Sequence, residues 1–275
     1  MNRISGNITF DTHGISYAGV SSVGMVRSIN EDSMLVSEDA FFFCVADGMG
    51  GHEAGNVASA MTVEAMGQFI DARLAPGDTT LPFQPGEATG EHLLVEAVRF
   101  ANRRVFEARQ GKKMGSTVVA ALFEHRNVGD TVLVGSDDVS SAFPVSLVNV
   151  GDSRAYMWRN NELVQITNDH SLVFELYRNG RITREEMKTH PRKNVITRAV
   201  GSEGYVAPEL YHVEARSGDM LLLCSDGLTS MVDDQDIRME LSQEENPVDI
   251  AENLVTAANR AGGRDNITVV IARVS

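Results

Sequence analysis

Positive charge is in short supply in this 275-residue chain: 24 lysines and arginines stand against 38 aspartates and glutamates, a formal net charge of −14. Binding to nucleic acid rests on neutralising phosphates with basic side chains, so that class of function is disfavoured. Cysteine is scarce too. Cys44 and Cys224 each lie inside an apolar run and read as reduced, buried thiols, not as the staples of a small secreted domain. No apolar run approaches the roughly 20 residues that span a bilayer, and residues 1–7 lack the apolar core of a secretory signal. Together these absences predict a cytoplasmic chain that stays out of membranes. Two phosphate-binding fingerprints are missing as well. Asp47-Gly48-Met49-Gly50-Gly51 is not followed by Gly-Lys-Ser or Gly-Lys-Thr, which excludes a nucleotide P-loop, and there is no G-x-G-x-x-G dinucleotide turn.

What is present is a chain with 43% hydrophobic residues, enough for a sizeable core. Strands are expected over 15–24, 32–37 and 40–47, then 116–123, 145–152, 154–159, 163–166, around Val213, and over 219–225 and 266–274. A helix is expected from Glu53, with Val57, Met61, Ala65 and Phe69 on its apolar stripe, and a second over 91–110 that stops at Gly111. Residues 75–90, rich in proline and glycine, read as a surface loop, and 125–144 as a hairpin-like excursion. Short helices are expected over 171–179 and 183–189, the latter opened by a capping box of Thr183 and Glu186. The last helix is framed by Asn246 as N-cap, Pro247 at its first position and Gly262-Gly263 beyond its end. Strands come in runs with helices grouped between them. That order favours an α+β architecture over alternating βαβ units.

Five aspartates at the margins of these apolar runs carry the chemistry: Asp32, Asp47, Asp152, Asp226 and Asp265. A carboxylate beside a buried strand is costly to ionise unless it is paired or bound to a metal. One such residue is an ordinary turn aspartate; five at equivalent strand ends suggest a shared cation site. An all-oxygen ligand set selects magnesium or manganese over zinc or copper. The Asp-Gly pair recurs at Asp47-Gly48 and Asp226-Gly227, and the glycine lets a backbone carbonyl join the ligands.

Eight segments in order make the chain resemble the metal-dependent protein phosphatases, the type-2C serine/threonine family, in its compact bacterial form. They are 24–32 with Arg27, Glu31 and Asp32; 45–52 with Asp47, Gly48 and His52; Gly115-Ser116-Thr117; and Asn149-Val150-Gly151-Asp152-Ser153-Arg154. Asp169-His170-Ser171-Leu172, Thr197-Arg198-Ala199-Val200-Gly201, Ser225-Asp226-Gly227-Leu228 and Gly263-Arg264-Asp265-Asn266 complete the set. The resemblance implies a single domain over 1–275, built as a sandwich of two antiparallel sheets flanked by helices, with a helical flap near 170–200. It further implies hydrolysis of phosphoserine and phosphothreonine on proteins by direct attack of a metal-activated water, opposing a bacterial serine/threonine kinase. By that likeness, Asp47 bridges two manganese or magnesium ions, Gly48 adds its carbonyl, and Asp226 and Asp265 complete the pair. Glu31 and Asp32 hold outer-shell waters, Asp152 with Asp226 resembles a third metal site, and Arg27 grips the substrate phosphate. A monomer is expected. Met49 stands where many eukaryotic members have a histidine that protonates the leaving group, which leaves the proton donor open; His52 is the nearest substitute, and His170 reads as a packing or positioning residue. A silent phosphoprotein-binding relative would have lost the metal aspartates, and a nuclease would show a basic stripe.

Overall fold

The computed structural model describes residues 1–10, 13–50, 53–74, 90–124, 142–243 and 246–275. The first sheet runs β1 (Asn2–Phe10), β2 (His13–Ser22), β12 (Ile267–Val274), β11 (Met220–Cys224), β8 (Arg154–Arg159) and β9 (Glu162–Gln165) in spatial order. The second runs β10 (Glu209–Ala215), β7 (Phe143–Val150), β6 (Val118–Phe123), β4 (Phe42–Met49) and β3 (Asp32–Ser37), with the short β5 (Gly115–Ser116) paired to the end of β4. The recorded strand pairings are antiparallel.

Alternation along the strands decides what each face covers. Phe43 and Val45 point from β4 into the space between the sheets, where they meet Val119, Leu147, Leu221, Leu223 and Val270. Phe42, Cys44 and Ala46 point the other way, beneath α1 (Glu53–Leu74) and α2 (Gly90–Ala108). The outer face of the first sheet, with Val20, Leu222, Val269 and Ile271, is covered by α5 (Asp226–Thr229), α6 (Asp234–Gln243) and α7 (Pro247–Arg260). The result is the two-sheet sandwich flanked by helices that the motifs implied. Two further helices, α3 (Leu172–Arg178) and α4 (Arg184–Thr189), stand where short helices over 171–179 and 183–189 were expected.

Several expectations are corrected. Of the expected α1 stripe, Ala65 is buried and Met61 and Phe69 pack half-buried against the core, Phe69 on Phe100 of α2, but Val57 is 45% exposed, and the buried face extends to Ala58, Thr62, Met66 and Ile70. α1 lies on β3 and β4, where the Ser59 hydroxyl bonds that of Ser33 at 2.9 Å. β4 does not stop at Asp47, since Gly48 and Met49 pair with β5, and Ala40 lies in the turn before it. β1 was not foreseen, having only Ile4 and Ile8 as apolar alternation, and neither was α6. The capping box at Thr183 and Glu186 and the cap of α7, where Asn246 accepts from the Val248 amide at 3.0 Å, are present as expected. Most of the readings of 75–90 and 125–144, and that of His52, lie outside the described residues. Among the described residues no helix is long and apolar enough to cross a membrane.

Candidate active site

The aspartates gather at one end of the sandwich, drawn from both sheets. Asp32 opens β3 directly opposite Asp47 of β4. Asp226 opens α5 just past β11, and Asp265 stands two residues before β12. Gly227 permits this approach: a Cβ there would lie 1.8 Å from the Asn266 carbonyl oxygen. Ser225 bolts the sheets together. Its hydroxyl donates to Asp32 Oδ2 at 2.7 Å and accepts from the Thr268 amide at 2.9 Å.

Asp47 is the hub. Its pKa is raised well above the usual carboxylate range by burial and then by Asp32, Asp226, Asp152 and Asp265. Burial first, then Asp226 and Asp265, push Asp32 up to about 7 against the Ser225 and Thr268 hydroxyls. Burial, then Asp226 and Asp169, push Asp152 to about 7. Asp226 is raised by burial and by Asp265. Like charges this close disfavour ionisation unless a cation compensates them. Asp32 is only 7% exposed, and its Oδ1 has no hydrogen-bond partner among the described residues. An orphaned buried carboxylate oxygen amid oxygen-only neighbours fits a hard divalent ion. Among the described residues no three Asp, Glu, His or Cys side chains form a finished ligand cage.

Backbone contacts place the rest. Gly48 donates to the Glu31 carbonyl at 3.0 Å, and a Cβ on it would sit 2.0 Å from the Gly55 carbonyl oxygen of α1. Thr117 had drawn no role from the sequence, yet it ties two aspartates together. Its amide donates to the Asp47 carbonyl at 2.8 Å, its hydroxyl accepts from the Asp47 amide at 2.9 Å, and it bonds the Ser153 hydroxyl at 2.7 Å beside Asp152. His170 secures the same turn: Nδ1 accepts from the Gly151 amide at 3.1 Å and the Nε2 side meets Glu209 at 2.9 Å. Burial, against the pull of Glu209, lowers the imidazole pKa and keeps it neutral, which suits a positioning role. Cys44 and Cys224 lie in different layers, where burial drives both thiols upward, the second to about 12, as packing residues require.

Arg27 reaches the cluster through Asp265, donating from Nη2 to Oδ2 at 2.8 Å. An exposed pair of this kind contributes roughly 0–1 kcal/mol, so the guanidinium is readily exchanged to an anion. The loop carrying Arg27 hangs on Asn266, the second residue that sequence reasoning passed over. Asn266 Nδ2 donates to the Val23 and Ile29 carbonyls at 2.9 Å each, and Oδ1 accepts from the Glu31 amide at 2.8 Å. Replacing Asn266 with alanine is expected to destabilise the protein by roughly 2–4 kcal/mol and to raise KM for a phosphopeptide more than it lowers kcat; thermal unfolding and steady-state rates measure both.

A family model described as protein phosphatase 2C matches residues 21–267, nearly the whole chain. The chain belongs to the protein phosphatase 2C family. It is therefore a protein phosphatase, a hydrolase acting on phosphoproteins. The serine/threonine phosphatase stp of Listeria welshimeri is 37% identical over 90% of this chain and 91% of its own length. The crystal structure of the Mycobacterium tuberculosis serine/threonine phosphatase PstP/Ppp superposes with a TM-score of 0.78 at 36% identity, covering 94% of this chain and 98% of that one. The PstP catalytic domain solved in complex with two manganese ions gives 0.77 at 36% identity, covering 96% and 99%. The two antiparallel sheets with flanking helices match the architecture of these phosphatase structures.

Proposed function

We propose that this phosphatase removes phosphate from phosphoserine and phosphothreonine on proteins, using a pair of manganese or magnesium ions held by Asp47, the Gly48 carbonyl, Asp226 and Asp265. Asp152 with Asp226 forms a third cation position, and Glu31 and Asp32 order the surrounding waters. When bound, such a pair activates water for attack on phosphorus and neutralises the charge developing on the phosphoryl oxygens. Arg27 leaves Asp265 for the substrate, where its planar fork makes two parallel hydrogen bonds to phosphate oxygens. Thr117 and His170 hold the backbone of Asp47 and of the Asp152 turn so that the carboxylates keep their places. We read residues 1–275 as one catalytic domain with its flap at 170–200, acting as a monomer in the cytoplasm and opposing a serine/threonine kinase.

The observation that carries this reading is the mutual repulsion of carboxylates from both sheets around Asp47, with the buried oxygen of Asp32 left unpartnered. It is tested by hydrolysis of p-nitrophenyl phosphate and of phosphothreonine peptides during manganese and magnesium titrations. Turnover is expected only with added cation, to vanish in excess chelator and to return on replenishment. Full activity in chelator would overturn it.

A further inference from the structure

The C-terminal half of α2 and the turn after it concentrate positive charge that the chain otherwise lacks. Over residues 99–113, Arg99, Arg103, Arg104, Arg109, Lys112 and Lys113 stand with a single acidic residue, Glu107, in a chain of net charge −14. All six except the half-buried Arg109 are exposed. Among the described residues only Arg99 of the six forms an ion pair, with Glu96 at 2.6 Å. The flap is also basic, but Glu185 and Glu186 are interspersed there and mix its field.

Two of these guanidinium groups are held against aromatic rings. Arg104 lies over the Phe100 ring, 5.7 Å from its centroid, and Arg109 over the Phe106 ring at 3.9 Å, while Arg109 Nη1 donates to the Ser202 carbonyl at 2.6 Å. A guanidinium held over an aromatic ring loses less freedom on binding a carboxylate.

The patch adjoins the aspartate cluster. Gly50 has φ +148°, and a Cβ on it would stand 2.4 Å from the Lys113 carbonyl oxygen. The chain then continues as β5 beside Gly48 and Met49. On its other flank, Asn102 of α2 accepts from the Gly201 amide at 2.7 Å, and Val200 bonds Ser116. The basic face thus runs from the rim of the site along about 15 Å of helix, comparable to the reach of an exposed charge at moderate ionic strength, roughly 10 Å.

We propose that this face docks an acidic, Asp- and Glu-rich segment of the phosphoprotein whose phosphorylated residue enters the aspartate cluster. The inference rests on the phosphatase reading and adds to it a substrate class. An acidic substrate is repelled by most of this protein, so a basic strip beside the site supplies both steering and register.

The test uses the full chain with manganese and three phosphothreonine peptides that share a phosphosite and carry an Asp/Glu, an Asn/Gln or a Lys/Arg extension. At low salt the acidic peptide is expected to lead the neutral one by about tenfold in kcat/KM, with the lead collapsing at high salt. The double variant Arg103→Glu, Lys112→Glu should lose that lead, turn to the basic peptide, and hydrolyse p-nitrophenyl phosphate at the parent rate, which also reports an intact fold. Equal rates for acidic and neutral peptides in the parent, or a preference surviving in the variant, overturn the proposal. So does a surface that captures phosphatidylserine vesicles or an RNA oligonucleotide with no preference among the peptides. Absence of turnover on p-nitrophenyl phosphate would instead sink the phosphatase reading beneath it.

Discussion

Asp47→Asn is expected to remain folded and to lose roughly a thousandfold in turnover with manganese, about 4 kcal/mol of transition-state stabilisation. Asp47 faces Asp32 across the β3–β4 pair and feels Asp226, Asp152 and Asp265 besides. No other carboxylate here is loaded by so many of its fellows. Its backbone amide and carbonyl are both engaged by Thr117, and those contacts are indifferent to the change of side chain. Amide for carboxylate therefore removes one charge from the cluster while the strand stays in place. Relief of repulsion adds a second signature: in chelator the variant should melt above the parent. Phosphate-release rates and melting curves recorded on the same preparations check both. A variant turning over near the parent rate would move the chemistry away from Asp47.

The metal-free protein is expected to become less stable as pH rises from about 5 to 8. Asp32 and Asp152 stand near 7 in the folded chain, against about 3.9 for an unfolded aspartate. The folded form holds these protons more tightly, so between the two values unfolding releases them. Their contribution to stability is complete below about pH 4 and is lost as pH climbs through about 7. For the buried Asp32 alone the shift corresponds to at most on the order of 4 kcal/mol; the mutual coupling of the group spreads that loss over several side chains. Manganese should cancel or invert the trend, because a cation stabilises the ionised carboxylates that the bare cluster cannot tolerate. Thermal unfolding at pH 5.5 and 8, with chelator and with manganese, measures it. A metal-free melting point that rises toward pH 8 would show that these carboxylates are already compensated by the protein.

Much of this was legible from residue type and spacing. The aspartates announced themselves because ionised side chains next to apolar strands are improbable without a partner, and Asp32, Asp47, Asp226 and Asp265 do converge. The strands of the second sheet were readable because Phe42 to Ala46 and Val118 to Phe123 are uninterrupted apolar runs between covered faces. The rest depended on contacts distant in sequence. β1 owes its extension to the backbone of β2 and hardly to its own pattern. The wider face that α1 buries, with Ala58, Met66 and Ile70 beside the expected Ala65, follows from its packing on the sheet and on α2. Thr117 and Asn266 sat inside motifs, yet their work consists of hydrogen bonds to loops more than 60 and 200 residues away, which local periodicity does not encode. The basic end of α2 drew no reading from the sequence and acquired meaning only once the closeness of Gly50 to the Lys113 carbonyl placed it at the rim.

Asp47 and Asp226 belong to opposite leaves of the sandwich, and the layer between those leaves is filled by Phe43, Val45, Leu221 and Leu223. Spacing of the leaves therefore sets spacing of the ligands. Trimming a ring deep in that filling, for instance Phe43→Leu, would register as weakened manganese affinity although no liganding atom had changed, and divalent ions would in turn act as a clamp that resists slippage of one leaf over the other.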